Sequence, residues 1–149
     1  MSQPKLMQEL SSTVCKLSRV MTEFIQLHMK NKGLADIRPT SSLLLLLLLE
    51  KEGQTLTGLA RTAHIKAPTI TVIANRLEKK GWIKRKRGRD DRRQVQLYLT
   101  QTGRGKAELI ASIHRSAARL MSDCINRDSI IVTNETLNRI ISNVNNHVV

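Results

Sequence analysis

Aromatic residues and cysteines are scarce in this chain. Its 149 residues include one Phe, one Trp and one Tyr, whereas proteins that bind single-stranded nucleic acid usually stack bases on exposed aromatic side chains. The scarcity argues against a single-strand binder. The two cysteines, Cys15 and Cys124, are too far apart in the sequence to form a CxxC redox or zinc motif.

Long apolar segments are also missing. The longest unbroken apolar run is Leu43 to Leu49, seven residues, whereas a membrane-spanning helix needs about 20. The first ten residues, MSQPKLMQEL, have no apolar stretch behind a basic region and do not resemble a secretory signal. We expect a soluble, cytoplasmic protein that has no membrane partner and forms no structural disulfide by default.

The residue patterns typical of catalysis or metal binding are absent as well. The histidines show neither His-x-x-His nor His-Glu-x-x-His spacing. The sequence contains no nucleophile motif, no glycine-rich phosphate loop and no pair of carboxylates in an apolar setting. We therefore expect no enzymatic activity, no catalytic residues, no metal site and no cofactor.

Positive charge is what the chain has in excess. It carries 25 Lys and Arg against 12 Asp and Glu, a formal net charge of +13, which favours a polyanionic partner. Residues 76–106 hold twelve of the basic residues and only three acidic ones. Apolar residues such as Trp82, Ile83 and Leu97 are interleaved with these charges, so the basic stretch is part of a folded structure and not a tail.

Helical periodicity dominates both ends of the chain. Between Lys5 and Asn31, apolar residues recur at steps of three and four, which predicts one long amphipathic helix. The same steps recur from Ile110 to Cys124 and from Leu137 to Val148. A long helix with one narrow apolar stripe is typical of packing against another long helix.

The leucine run predicts a central helix. It shows no periodicity, but leucine has high helix propensity, and Thr40, Ser41 and Ser42 ahead of the run are good N-cap residue types. We expect a helix buried on most sides.

The centre of the chain combines two short helices with a hairpin. Apolar residues at 56–63 and 70–77 predict two short amphipathic helices, joined by a tight turn at 63–66. Residues 82–87 and 95–99 then predict two strands around the turn residues that begin at Gly88. This order is that of a winged helix-turn-helix, in which the second helix enters the major groove of DNA and an arginine at the hairpin tip enters the minor groove.

The stretch from Leu56 to Arg104 resembles the DNA-binding core of the MarR family of transcriptional regulators. It reads LTGLARTAHIKAPTITVIANRLEKKGWIKRKRGRDDRRQVQLYLTQTGR. Its RLEKKG from Arg76, its DRR from Asp91 and its LTxxG from Leu99 stand where the family pattern has them. The order of the flanking helices also matches the family.

The resemblance implies a fold, a function and an assembly. The fold would be mainly α with a small β-hairpin wing (α+β). Residues 1–38 and 102–149 would form a helical dimerisation region and 39–101 the winged helix-turn-helix, within one compact chain. A homodimer would place its two recognition helices about 34–36 Å apart on a pseudo-palindromic operator in double-stranded DNA. The protein would be a repressor relieved by a small aromatic or phenolic effector or by an oxidant.

The candidate DNA-binding residues fall into two groups. The recognition-helix group is Lys66, Pro68, Thr69, Thr71, Val72, Asn75 and Arg76. The wing group is Arg87, Arg89, Arg92 and Arg93. By the resemblance, Arg93 is the minor-groove arginine and Asp91 orients it through an ion pair. Lys66 departs from the family, which usually has Ser, Thr or Asp at that cap.

Cys15 and Cys124 have two interpretations. Cys15 lies one residue from the apolar stripe of the first helix, and Cys124 continues the stripe of a later one, which favours two small buried side chains. The alternative is a redox pair in which Cys15 senses peroxide and Cys124 resolves it. The sequence shows no neighbouring base or tyrosine that would activate a thiol.

Two other functions fit part of the pattern. The charge alone suits a basic, RNA-associated winged-helix module, but the scarcity of aromatics and the long terminal helices count against it. A winged-helix adaptor between proteins should lack a concentrated basic wing.

Overall fold

The computed structural model describes residues 2–88 and 94–148, and within them the fold class is as predicted. Helices dominate, and a small antiparallel sheet lies near the middle of the chain. The elements are α1 Gln3–Asn31, α2 Pro39–Glu50, β1 Gln54–Thr55, α3 Leu56–Ala63, α4 Ala67–Lys79, β2 Ile83–Arg87, β3 Val95–Leu99, α5 Gln101–Ser122 and α6 Arg127–Val148.

The sheet contains the predicted hairpin and one further strand. β2 pairs with β3 in a register that sets Ile83 opposite Leu99 and Arg87 opposite Val95. β2 begins at Ile83, one residue later than predicted. The further strand is β1, which no sequence pattern predicted and which pairs Gln54 with Leu97 on the other edge of β3.

Helix α2 lies in the core, as the leucine run predicted. Leu44, Leu45 and Leu48 are buried. The predicted start of the helix was wrong, because α2 begins at Pro39 with Arg38 as N-cap and without a side-chain cap. Proline suits the first helical position, since its missing N–H would have no partner there. The serines that were expected to cap the helix are instead buried within its first turns.

The entry to α5 is a tight backbone contact. The Thr100 hydroxyl accepts from the Gly103 N–H at 3.0 Å and donates to the Gly81 carbonyl at 2.6 Å. The Thr100 N–H donates to the Trp82 carbonyl at 3.0 Å. A Cβ at Gly103 would lie 1.8 Å from that same carbonyl oxygen. The sequence position therefore requires glycine, and this contact fixes the end of the hairpin against α5.

The terminal helices leave apolar side chains uncovered. On α1, Leu6 and Leu10 are 48% and 38% exposed. Leu120 on α5 and Val144 on α6 are 60% and 55% exposed. Single exposed leucines are ordinary, but a stripe of them along a long helix is typical of a surface that contacts another molecule. None of the helices among residues 2–88 and 94–148 is both long and apolar enough to cross a membrane.

Candidate nucleic-acid interface

A sharp turn between α3 and α4 sets the angle of the candidate recognition helix. Thr55 caps α3 by accepting from the Gly58 N–H at 3.1 Å, and α3 ends at His64 in the left-handed conformation, with φ 52°. α4 then begins after Lys66, its N-cap, which gives no side-chain cap hydrogen bond. The ammonium of Lys66 is therefore not used as a cap, and the first N–H groups of α4 have no side-chain acceptor from this residue.

Helix α4 has one buried side and one open side. Ile70, Ile73, Ala74 and Leu77 pack into the core. None of the seven predicted recognition residues is buried: Thr71 and Arg76 are half-buried, and Lys66, Pro68, Thr69, Val72 and Asn75 are exposed. Val72 is 57% exposed, and an open apolar side chain at this place suits contact with a thymine methyl group. The α4 face that the sequence analysis selected is thus a continuous surface.

Two polar residues on this face already make hydrogen bonds within the chain. The Thr71 hydroxyl donates to the Ala67 carbonyl at 3.0 Å, which leaves its oxygen lone pairs as acceptors. The Asn75 carbonyl oxygen accepts from the Arg85 guanidinium at 2.6 Å. This hydrogen bond orients the side-chain amide of Asn75, with its carbonyl oxygen towards Arg85.

Arg85 connects the wing to α4, and the sequence analysis did not single it out. Its Nη1 donates to Glu78 Oε2 at 2.7 Å while its Nη2 donates to Asn75. Strand alternation could have identified Arg85. It lies two residues after the buried Ile83 and therefore on the same face of β2. That face points towards α4.

The exposed side chains of β2 are basic on both faces of the strand. Lys84, Lys86 and Arg87 are exposed, and Lys86 Nζ lies 5.2 Å from the centre of the Tyr98 ring. The Gly88 N–H donates to the Gln94 carbonyl at 2.8 Å, which continues the pairing of the strands towards the tip. The tip residues Arg89, Asp91, Arg92 and Arg93 lie outside the described residues, and their roles stay predictions.

Two ion pairs connect the winged region to the terminal helices. The Lys80 ammonium bonds to Asp36 in the α1–α2 connection, and this hydrogen bond holds the pKa of Asp36 below its usual value. Lys80 also lies 4.7 Å from the Trp82 ring centre. On the other side, Glu52 Oε1 accepts from the Leu99 N–H at 3.0 Å and pairs with Arg104 at 3.1 Å. These contacts join the α1–α2 connection to the end of α4, and α5 to the residues beside β3.

A small apolar cavity of about 140 Å³ lies where α1, α2 and α5 meet. Its lining includes Ile25, Met29, Leu46 and His114. Burial lowers the pKa of His114, which favours its neutral imidazole. A cavity of roughly 150 Å³ can hold one benzene ring.

The favoured interpretation of the cysteines is wrong for the single chain, because both thiols are exposed. They lie on or next to helices whose apolar stripes are also open, so burial within one chain was the wrong expectation. Among residues 2–88 and 94–148, no three His, Cys, Asp or Glu side chains come together as a set that could hold a metal ion.

The chain is similar in sequence to known transcriptional regulators. Residues 37–95 match the MarR family. The chain is 40% identical over 63 residues to the HTH-type transcriptional regulator TtmR of Methylorubrum extorquens, an alignment covering 42% of this chain and 32% of TtmR. It is 30% identical over 95 residues to the HTH-type transcriptional regulator SarZ of Staphylococcus haemolyticus, covering 63% of this chain and 65% of SarZ. Both alignments span less than two thirds of the relative's length.

The whole fold also matches solved structures. AbfR of Staphylococcus epidermidis has a TM-score of 0.71 and 27% identity, over 95% of each chain. AbfR has been solved in its reduced form bound to DNA, with a TM-score of 0.66, 28% identity and 95% of each chain covered. A disulfide-formed AbfR structure matches with a TM-score of 0.65 and 25% identity, over 98% of this chain and 94% of that chain.

Proposed function

Because residues 37–95 of this chain match the MarR family, we propose that it is a homodimeric transcriptional repressor of that family that binds a pseudo-palindromic operator in double-stranded DNA. One observation carries the proposal: the open side of α4 lies directly beside a basic strand and is tied to it by Arg85. A helix with an open polar face fits the major groove, and basic side chains on the adjoining strand reach phosphates.

The two parts of the surface have separate tasks. Thr69, Val72 and Asn75 offer a hydroxyl, an apolar patch and an amide to base edges. Lys84, Lys86 and Arg87 supply charge that is independent of base sequence. Arg93, with Asp91 orienting it, would enter the minor groove at the tip of the wing, flanked by Arg89 and Arg92. A dimer bound in this way would cover the duplex and exclude the transcription machinery.

The domain organisation follows from the same proposal. Residues 39–101 bind DNA, and residues 1–38 and 102–149 join the two copies through their open apolar stripes. The protein acts in the cytoplasm, without a membrane partner, as a regulator and not as an enzyme.

Salt dependence tests the proposal directly. The protein is titrated against a pool of duplex DNA and against structured RNA at several salt concentrations. We expect duplex affinity to fall with a log–log slope of about −0.9 per phosphate neutralised. Arg87→Ala should make the slope shallower by about one phosphate contact, while Arg119→Ala, an exposed change on α5, should leave it unchanged. Stronger binding to structured RNA than to any duplex would overturn the proposal in favour of the RNA-associated module.

The aromatic residues support DNA over that alternative. Trp82 is buried, and Phe24 and Tyr98 are half-buried. Phe24 stacks on His28 with ring centres 4.0 Å apart, and Tyr98 faces Lys86. Single-stranded RNA loops are usually bound by exposed aromatic rings, and these three rings are engaged elsewhere.

Two events would release the protein from DNA: binding of a small effector and oxidation of a cysteine. The cavity between α1, α2 and α5 has the volume of one aromatic ring and a neutral histidine, which suits a small phenolic or aromatic effector. The exposed Cys15 and Cys124 suit an oxidant. A peroxide would oxidise the Cys15 thiolate to a sulfenic acid and leave as the alcohol, and the Cys124 thiol would then displace water to form a disulfide.

Oxidation should release DNA if this pair is the sensor. After treatment with an organic hydroperoxide, we expect the affinity of the wild-type protein for its selected duplex to fall roughly tenfold or more, and dithiothreitol to restore it. Cys15→Ser should keep full affinity under the same treatment. Cys124→Ser removes the second cysteine of the pair, so no disulfide band should appear on a non-reducing gel. Release of DNA from oxidised Cys15→Ser would refute the sensor.

A further inference from the structure

The contact between Arg85 and Asn75 fixes which atoms Asn75 can offer to DNA. A guanidinium only donates hydrogen bonds, so the Asn75 atom at 2.6 Å from Arg85 Nη2 is the carbonyl oxygen. The second arm of Arg85 is held by Glu78 Oε2 at 2.7 Å. Two anchored arms keep the planar guanidinium in one position, and it keeps the Asn75 amide in one orientation.

This orientation has a consequence for base recognition. Asparagine reads adenine through two bonds, in which its oxygen accepts from N6 and its nitrogen donates to N7. In this chain one lone pair of the Asn75 oxygen is taken by Arg85, so the group that stays fully available to a base edge is the amide nitrogen with its two N–H donors. Such a group matches a base edge that presents only acceptors, and guanine presents N7 and O6 side by side.

The location of Asn75 makes this orientation relevant to DNA. Asn75 is exposed and lies one turn after Val72 on the open side of α4. The side chain of Arg85 is 30% exposed and that of Glu78 is 37% exposed. Arg85 is therefore partly covered where it bridges from β2 to α4.

We propose that Arg85 is a positioning residue that holds Asn75 as a hydrogen-bond donor, so that Asn75 selects guanine and disfavours adenine at one base pair of each half-site. The inference rests on the proposed function, because it concerns the DNA surface of α4. It differs from a phosphate-binding role for Arg85, which would add affinity for every sequence equally.

Base preference distinguishes an Arg85 that positions Asn75 from an Arg85 that binds phosphate, whereas affinity alone does not. Duplexes bound by the wild-type protein are selected from a random pool, and each position is then varied singly. We expect a roughly tenfold preference for guanine at the Asn75 position. In Arg85→Met this preference should vanish while the preferences at other positions persist.

Matched variants complete the experiment. Lys86→Met loses the same charge on the same strand but from its other face, so it should weaken all duplexes alike and keep the guanine preference. Arg85→Lys keeps the charge but cannot bridge two acceptors as a fork does, and should lose the preference as Arg85→Met does. Asn75→Asp replaces the outward donor with an acceptor and should shift the preference to cytosine, whose N4 donates.

The outcomes are distinct. A guanine preference that is lost in both Arg85 variants and kept in Lys86→Met supports the inference. A preference that survives Arg85→Lys and Arg85→Met overturns it, as does an Asn75→Asp protein with wild-type preferences. Urea unfolding measures the stability of Arg85→Met. If that variant does not fold, the base preference of Arg85→Lys tests the inference instead. A wild-type protein without preference for any duplex overturns the proposed function itself.

Discussion

Replacing Leu6 and Leu10 together with lysine is expected to convert the protein to a monomer and to lower its affinity for a two-half-site duplex at least about a hundredfold. Both leucines are exposed on α1 of the single chain, so the change leaves the core of each chain intact. In a dimer they would be buried, and two buried ammonium groups without partners cannot be accommodated there.

The monomer should lose DNA affinity because the dimer holds two recognition helices together. Within a dimer, binding of one half-site brings the second recognition helix to its own half-site at a high effective concentration. A monomer keeps one set of contacts and the affinity of one half-site. Sedimentation velocity at micromolar concentration measures the assembly, and a DNA titration measures the affinity.

The control for this prediction adds the same charge to the other side of the helix. Gln8→Lys with Ser12→Lys changes two exposed residues on the opposite face of α1. This variant should remain a dimer with wild-type affinity or slightly better, since it only adds positive charge. If the leucine variant also stays a dimer, the apolar stripe of α1 is not the interface.

The second large effect is expected at Gly103. A Cβ there would lie 1.8 Å from the Trp82 carbonyl oxygen and 2.7 Å from its carbon. These are backbone atoms of the hairpin entry and cannot rotate away, so α5 would have to move and would lose the Thr100 cap. Overpacking costs roughly 1–3 kcal/mol and loss of a cap about 1 kcal/mol. We expect Gly103→Ala to lower the free energy of unfolding by about 3 kcal/mol.

Gly105 provides a control two residues further along α5. A Cβ at Gly105 would meet nothing within 4 Å, and alanine in a helix is more stable than glycine by roughly 0.5–1 kcal/mol. Gly105→Ala should therefore stabilise the protein. Urea unfolding compares the two variants with the wild type, and equal stability of all three would contradict the contact between Gly103 and Trp82.

Much of the fold could be predicted because the spacing of apolar residues indicates which side of a helix or strand is apolar. The steps of three and four in α3 and α4, and the alternation in β3, are direct consequences of which side each element buries, whereas the apolar stripe of α1 is uncovered in the single chain. β1 was missed because two residues carry no periodicity, and its pairing depends on β3, far along the chain. The start of α2 was misjudged because serine is a good cap type wherever it stands, whereas here two serines fill core positions.

The candidate site was predictable in position but not in detail. Charge and apolar spacing located α4 and the wing, since both are local properties of the sequence. The bond from Arg85 to Asn75 joins residues in different elements, and only the packing of β2 on α4 brings them together. The exposure of Cys15 could not be predicted either, because the neighbouring apolar stripe of α1 is itself uncovered in the single chain.

The central claim is that this chain recognises the sequence of double-stranded DNA as a dimer. The most direct test is a competition, at about 0.15 M salt, between the duplex that the protein selects and the same duplex with its base order shuffled. We predict that the selected duplex binds roughly a thousandfold tighter or better, with two chains on each duplex. Equal binding of the two duplexes, or one chain on each, would contradict the claim.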